Sequence, residues 1–590
     1  MRRSGLCILA LLFLLSAGYS YALPACSEGA KSFSPCELTF NWNNNELPAS
    51  ASPYRDDLLN VEFRSPSHTT YLVHAFWDGG TTLRVRFSPT EPGTWAYHVS
   101  SSIKRLDDKE STFSVADTSS PGFVSVANVR HWWTTNKQPH LWLAASVPFL
   151  QLDQPSMESW LDARKHDGFT HVRGTLLTLT GSIKPLNADL EPNLPYFAAL
   201  DQRILAANDR GFTLDLILAD DQFIQAGFFA NADRREPLVR YLAARYGSLN
   251  VTWQGIEHFE DVPHPRALLK DLNALLQKYD GYNHPRSTDA RMTSSPFFGD
   301  GWMNYLIEAC PSPELGAVEH QFTASPEIHI VVATDPDKFR HELWASTTSG
   351  EYPSVSYDAL RNEANVKAVQ IWVRVMRDTR HWELEPYFDV DGARAVGLEE
   401  VEYLAYAAQP GNVEITLPKH KYNPVWVNPA TGEEIPLKNY KGEVFSQQTP
   451  DNSHDWVLQV AREGHKASML RSYYFESQSP PIQEVETNPA RIPFEITDPR
   501  GDSFNAAIPT PFGVKLTRAN RASRFMQYVW WGEIAGGSEG PRVLGIGSSG
   551  TFSIPKYMLD QRPAPLSLRL QAINAYGKAY EVDKVYQLPQ

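Results

Sequence analysis

The run YFAALDQRILAANDRGFTLDLILAD (196–220) decides the reading of the fold. Leu200, Ile204 and Ala207 fall on one face of a helix, and Gly211 stands where that helix should stop. FTLDLILAD (212–220) then reads as a strand. Helix, glycine, strand is one β/α unit, and the flanking residues repeat it. Upstream, HLWLAASVPFL (140–150) reads as the first strand, SMESWLDARKHDG (156–168) as a helix ending in Gly, and FTHVRGTLL (169–177) as the second strand. Downstream, NVTWQGIE (250–257), ARMTSSPFF (290–298), LGAVEHQFT (315–323), YPSVSYDAL (352–360) and HWELEPYFDV (381–390) supply strands four to eight, and GLEEVEYLAYA (397–407) a closing helix. Eight such units within residues 123–405 predict a (β/α)8 barrel rather than an open sheet.

Outside this span the chain reads as β. Residues 23–118 carry short runs such as TYLVHAFWDGG (70–80), TTLRVRFSP (81–89) and GTWAYHVSS (93–101), punctuated by Gly and Pro, which predicts a β-sandwich. ADTSSPG (116–122) has linker composition. Past the barrel, YNPVWVNPATGEEIPL (422–437) and DWVLQVA (455–461) predict a small β-domain over 406–476. SQSPPIQEVETNP (477–489) is a second linker, and 490–590 reads as a terminal immunoglobulin-like β-sandwich. The expected architecture is multidomain, with a central TIM barrel flanked by β-domains.

Composition narrows the function. Among 590 residues, 54 Lys and Arg face 68 Asp and Glu, for a net charge of −14. Such an acidic surface repels nucleic acid and anionic lipid. Arg2 and Arg3 followed by LCILALLFLLSA (6–17) and Ser20-Tyr21-Ala22 read as a secretory signal peptide over 1–22. That run is too short for the roughly 20 apolar residues of a membrane span, and no later stretch reaches it. The expected location is secreted or periplasmic. LPAC (23–26) loosely resembles a lipobox, so a lipid anchor at Cys26 is the lesser alternative. Cys26 and Cys36 are placed to form a disulfide in an exported chain, which leaves Cys310 as a buried thiol. No Cys/His spacing marks a zinc site, so no metal and no cofactor are expected.

Two motif matches carry no chemistry. GIGSSG (545–550) matches a dinucleotide fingerprint but precedes a strand-like run instead of a helix, and GGSEG (536–540) matches a nucleophile elbow inside a predicted sandwich loop. Barrels place their chemistry at the C-terminal ends of strands, and glycosidic bonds are usually cleaved there by two carboxyl groups. Strand four delivers Glu257, His258, Glu260 and Asp261. The predicted seventh strand delivers Asp358, in phase with Ser354 and Ser356 and so on the barrel side; a capping or surface Asp is the plainer alternative. Glu319 and His320 end the predicted sixth strand, Asp220 and Asp221 the third. On strand four Thr252 and Gln254 face inward, which leaves Glu257 out of phase unless a bulge intervenes.

At these strands the chain resembles the secreted apiosidase-like glycoside hydrolases and their relatives, which place an immunoglobulin-like domain before a (β/α)8 barrel. The resemblance rests on FWDGG and LRVRFSPTEPGTWAYHVSS within 76–101, on 196–218, on the Trp-containing fourth strand, and on WVNPATGE (426–433). It implies an acid/base Glu closing a Trp-x-x-x-Asn-Glu fourth strand and a nucleophilic Glu on the seventh. Here a gapless match puts Glu257 at the Asn position and His258 at the acid position, and Asp358 replaces the nucleophile. His320 resembles a His often found on strand six, with a core His as the alternative. Arg173 is a candidate for substrate binding or for a structural ion pair, Trp382 for sugar stacking or for core packing.

The expectation is therefore a secreted glycoside hydrolase acting on oligo- or polysaccharide of plant or microbial origin. Glu257 or Glu260 would be the acid/base and Asp358 the nucleophile or base, with His258, His320, Trp382, Arg173 and Asp220 around the sugar. The competing expectation is a non-catalytic carbohydrate-binding or scaffold protein on a degenerate barrel.

Overall fold

The computed structural model describes residues 21–588 except 49, 465–483, 519, 521–522, 524–525 and 560–563. Of the expected leader, only Tyr21 and Ala22 fall within the described residues, and most of the expected second linker falls outside them.

A parallel eight-stranded sheet forms the centre. Its strands are β1 (Ala144–Ser146), β2 (His171–Leu177), β3 (Thr213–Ala219), β4 (Val251–Ile256), β5 (Arg286–Ser287), β6 (Leu306–Glu308), β7 (Glu327–Val331) and β8 (Tyr352–Val355). They are ordered β5-β4-β3-β2-β1-β8-β7-β6, so the barrel is nearly closed. Backbone bonds bridge the β5–β6 gap, with Asn304 N donating to Arg286 O at 2.8 Å and Ser294 N to Ile307 O at 2.9 Å. The outer helices are α1 (Gln154–His166), α2 (Leu194–Asp209), α3 (Ala232–Tyr246), α4 (Pro265–Tyr279), α5 (Pro313–Phe322), α6 (Pro336–Thr347) and α7 (Glu363–Arg377). On β2 to β4, apolar residues face the helices while His171, Arg173, Asp215, Thr252 and Gln254 turn to the axis, as a period of two requires.

The second half of the barrel corrects the sequence reading. Residues 290–298 are not a strand: β5 precedes them, and a 3-10 turn runs over Ser295–Asp300, where Pro296 could not donate to a ladder. Residues 315–323 are helix α5, begun by the Ser312 cap and Pro313. The seventh strand is EIHIV (327–331), whose charged and polar residues hide it from a hydrophobicity reading. YPSV is consequently the eighth strand, not the seventh. The runs 381–390 and 397–407 leave the barrel, giving strands Glu385–Tyr387, Arg394–Leu398 and Glu402–Ala407 of an antiparallel sheet. GLEEVEYLAYA looks helical because both its faces are buried. Leu404 and Tyr406 pack into the barrel core, whereas Tyr403, Ala405 and Ala407 pack into the core of the flanking sheet.

Before the barrel, a five-stranded and a three-stranded sheet enclose a core containing Phe63, Phe87, Trp95 and Phe113. A buried charge network fastens them to the barrel: Arg86 and Arg245 both donate to Asp201, at 2.5 and 2.9 Å. Cys26 and Cys36 form a disulfide. A hairpin of Val124–Ala127 and His131–Thr134 plugs the N-terminal end of the barrel, where the Trp132 ring lies 4.5 Å from that of Trp142. At the C-terminus, three- and four-stranded sheets share a further β core. Of the dismissed motifs, GGSEG lies in a loop there and GIGSSG joins the end of one strand to the start of the next through a turn, with Gly536, Gly540 and Gly547 at positive φ. Among the described residues no helix is long and apolar enough to cross a membrane.

Candidate active site

A cavity of about 350 Å³ opens at the C-terminal ends of the barrel strands. Its wall includes Ser146, Phe149, Arg173, Thr175, Asp220, Asp221, Glu257, His258 and Tyr357. Gly174 makes room for Phe149, since a Cβ there would stand 2.5 Å from the Phe149 ring and 2.8 Å from the Val147 carbonyl oxygen.

Glu257 reaches this cavity without a bulge. The β3–β4 register runs unbroken from Leu214↔Val251 to Ala219↔Ile256, and Glu257 N still donates to Ala219 O at 2.9 Å. The strand then ends, and His258, at φ 50°, turns the chain into the 3-10 segment Phe259–Asp261. Inward–outward alternation holds only along a paired strand, so it does not constrain the first residue beyond it. Thr175 Oγ1 donates to Glu257 Oε2 at 2.8 Å, which fixes the carboxyl at the mouth.

Glu257 has an acidic neighbour that the sequence reading missed. Asp289, two residues past β5, is 2% exposed and brings a carboxylate oxygen within 4.8 Å of ligand atoms of both Glu257 and His258. Arg173 Nη2 donates to Asp289 Oδ1 at 2.5 Å, and His258 N to Asp289 Oδ2 at 3.1 Å. Burial, and then the Asp289 charge, raise the pKa of Glu257 above the ordinary carboxylate range, against the pull of Arg173 and the Thr175 hydroxyl. Glu257, His258 and Asp289 have donor types suited to a divalent ion, but the Arg173 cation already compensates Asp289. Below them, Asp215 accepts from Thr252 Oγ1 at 2.8 Å, Gln254 Nε2 at 2.5 Å and Tyr305 OH at 3.0 Å, and burial pushes its pKa up to about 6.

The other residues singled out from sequence are dispersed. Asp220 lines the cavity, but its Oδ1 caps the short helix Asp221–Gln225 by accepting from Phe223 N at 2.7 Å. Glu260 turns from the cavity and accepts from Arg291 N at 2.9 Å and Met292 N at 3.0 Å, pinning the two loops together. Asp358 follows β8 on the surface, its side chain 76% exposed and 3.8 Å from Arg361, outside the cavity that holds Glu257. His320 is on helix α5, not on a strand end; it is buried beside Glu385 at 3.4 Å, and burial pushes its pKa down to about 3. Trp382 is 4% exposed, with the Arg380 guanidinium 5.0 Å from its ring centre, and packs in the core. Val332 and Ala333 follow β7 and donate their amides to the Glu342 carboxylate of α6, so the strand itself delivers no carboxylate at its C-terminal end. Asp289 escaped notice because β5 is two residues long and was expected four residues later.

Two family models match this chain. Residues 127–302 match the apiosidase-like catalytic domain, and residues 29–102 match a domain of unknown function, DUF5060. The first match spans β1 to β5, hence Arg173, Glu257 and Asp289. Among solved structures, a Bacteroides vulgatus protein assigned to the glycoside hydrolases aligns with a TM-score of 0.63 at 17% identity, covering 74% of this chain and 99% of its own. A family 5 glycoside hydrolase from the same organism aligns with a TM-score of 0.52 at 16% identity, covering 60% and 95%. At such identities the likeness is one of fold. No curated protein matches the sequence.

Proposed function

From an apiosidase-like catalytic domain set in a glycoside-hydrolase fold, we propose that this chain hydrolyses glycosidic bonds of plant or microbial oligo- or polysaccharide, with Glu257 as general acid. The observation that carries the reading is the Glu257 carboxyl itself. It sits at the barrel mouth, held by Thr175, and burial and Asp289 favour its protonated form. A carboxyl that keeps its proton to higher pH than an ordinary carboxylate can give it to a leaving glycosidic oxygen. Asp289, held by Arg173, tunes this acid and does not itself line the cavity. Asp221, half-buried in the same wall, is the carboxylate that would activate water. The cavity lies at the lower end of the range for small-molecule pockets, about 300–1,000 Å³, which suits the end of a saccharide chain.

The experiment is hydrolysis of a glycan panel and of aryl glycosides by the wild type and Glu257→Gln. A general acid matters most for poor leaving groups, so the variant should lose polysaccharide hydrolysis while retaining cleavage of a dinitrophenyl glycoside. Equal loss on both would remove Glu257 from that role.

A second reading, sugar binding without hydrolysis, is favoured by β7, none of whose own residues brings a carboxylate to the cavity wall. Binding to the panel with no reducing sugar released by the wild type would establish it over the first.

The proposal includes export. It is supported by the leader-like residues 1–22 and by the Cys26–Cys36 disulfide, which suits an oxidising compartment and leaves Cys26 no free thiol to lipidate. N-terminal sequencing of protein recovered outside the cytoplasm, beginning at Leu23, tests it.

A further inference from the structure

A second cluster of buried charged residues lies in the barrel wall, away from the mouth. On β7, His329 faces the helices, and its Nε2 is 3.1 Å from Glu342 Oε1 of α6. Glu342 is anchored by the amides of Val332 and Ala333, at 3.1 and 2.9 Å, as expected of an ionised carboxylate. It therefore accepts a hydrogen bond from His329 Nε2–H, which leaves Nδ1 as the free face of the ring. That face looks at Glu308 of β6 and at Glu351, just before β8, with Nδ1 3.7 and 3.6 Å from their Oε1 atoms. All three residues are at most 3% exposed. Outside this cluster, neither oxygen of Glu308, neither oxygen of Glu351, nor His329 Nδ1 has a hydrogen-bond partner. The α5 backbone closes over them at Gly316, where a Cβ would stand 2.4 Å from the Glu351 carboxyl.

Buried carboxylates with no partner outside their own cluster are costly, and two of them side by side repel each other. One cation would relieve all three. Ligands each about 2.0–2.2 Å from a shared zinc ion stand about 3.4 Å apart at a tetrahedral angle and about 3.6 Å apart at a trigonal one. The two nitrogen–oxygen separations, 3.7 and 3.6 Å, are too long for hydrogen bonds and leave room for such an ion between the imidazole and the carboxylates. The second carboxylate behind the imidazole, here Glu342, is the arrangement that orients histidine ligands in metal sites. Calcium fits worse, because it takes six to eight oxygen ligands and this site offers a nitrogen and two carboxylates.

We propose that Glu308, His329 and Glu351 bind one divalent transition-metal ion, with Zn²⁺ the best fit, in a structural site in the barrel wall. The ion joins β6, β7 and the start of β8 beneath α5. That helix carries Leu315, Ala317 and Val318 into a shared core with Val529, Trp531 and Ile573 of the C-terminal sheets. The site thus braces the seat of the terminal domain, whatever the barrel mouth does.

The test uses the tag-free full chain, stripped with chelator, reloaded with Zn²⁺ and desalted, with zinc counted by mass spectrometry. The expected result is about one zinc per chain, with a higher Tm on reloading. His329→Gln should lose the ion, and His258→Gln at the mouth should keep it. No zinc on the wild type, or zinc retained by His329→Gln, overturns the proposal, and the cluster is then held by protons. Zinc lost from His258→Gln also overturns it, since the ion would then sit at the mouth. If His329→Gln does not fold, Glu351→Gln is counted in the same way. Zinc-edge absorption spectroscopy of the wild type gives an independent reading: one imidazole with oxygen ligands supports the site, and several imidazoles or sulfur overturn it.

Discussion

Arg173 Nη2 stands 2.5 Å from Asp289 Oδ1, and through this contact the interior of the barrel is coupled to its mouth. Arg173 also lies 3.7 Å from Asp215, so one guanidinium serves a buried carboxylate within the barrel and another beside Glu257. Replacing it with Met leaves Asp289 buried without its cation. Losing one partner of a buried pair typically costs about 3–5 kcal/mol, and urea denaturation of Arg173→Met should show a loss of that order.

The Asp289 charge raises the Glu257 pKa, so Asp289→Asn should lower it. A general acid works protonated, and the alkaline limb of kcat/KM against pH reports where it loses its proton. That limb should move to lower pH in Asp289→Asn. Glu257→Gln should reduce polysaccharide hydrolysis by about 10²–10⁴-fold, the usual contribution of a positioned acid. Asp358→Asn should stay within about two-fold of wild type, because its exposed carboxylate lies outside the cavity.

Asp215 makes stability depend on pH. Its pKa is about 6 in the fold against an ordinary 3.8, so between these values the folded chain holds a proton that the unfolded chain has released. Its contribution is complete below the lower value and disappears as pH rises through the higher one, a decline of roughly 3 kcal/mol. Asp215→Asn should flatten that decline when denaturation is followed across pH 4 to 7. Gln254 Oε1, buried and without a partner, is the acceptor for the new amide once the Gln254 side chain flips.

Gly174→Ala should damage the cavity directly. The methyl group would meet the Phe149 ring and the Val147 carbonyl, and overpacking of this kind costs about 1–3 kcal/mol. The expected result is a lower Tm together with weaker saccharide binding by calorimetry.

The Cys26–Cys36 disulfide closes a short loop at the start of the first β-domain. Cys26→Ser with Cys36→Ser should destabilise that domain by about 2–4 kcal/mol, seen as lower resistance to proteolysis.

Local sequence determined a great deal here. The helix–glycine–strand unit at 196–220, the first four barrel strands, the β-rich flanks and the disulfide were readable, because periodicity, punctuation and cysteine spacing act over a few residues, whereas strand phase pointed Glu257 away from the axis. The second half of the barrel was not readable. Its strands are two to five residues long, β7 alternates isoleucine with Glu327 and His329, and the run 397–407 is apolar on both faces, so hydrophobic pattern no longer reports secondary structure. Tertiary structure alone decided which carboxylates meet. Asp289 joins Glu257 through β5 and Arg173, Asp358 is left on the surface after β8, and Glu308, His329 and Glu351 converge from β6, β7 and the residue before β8. The physical reason is that electrostatics acts through space, and distances between groups far apart in sequence are set by strand register and barrel closure, which no local pattern encodes.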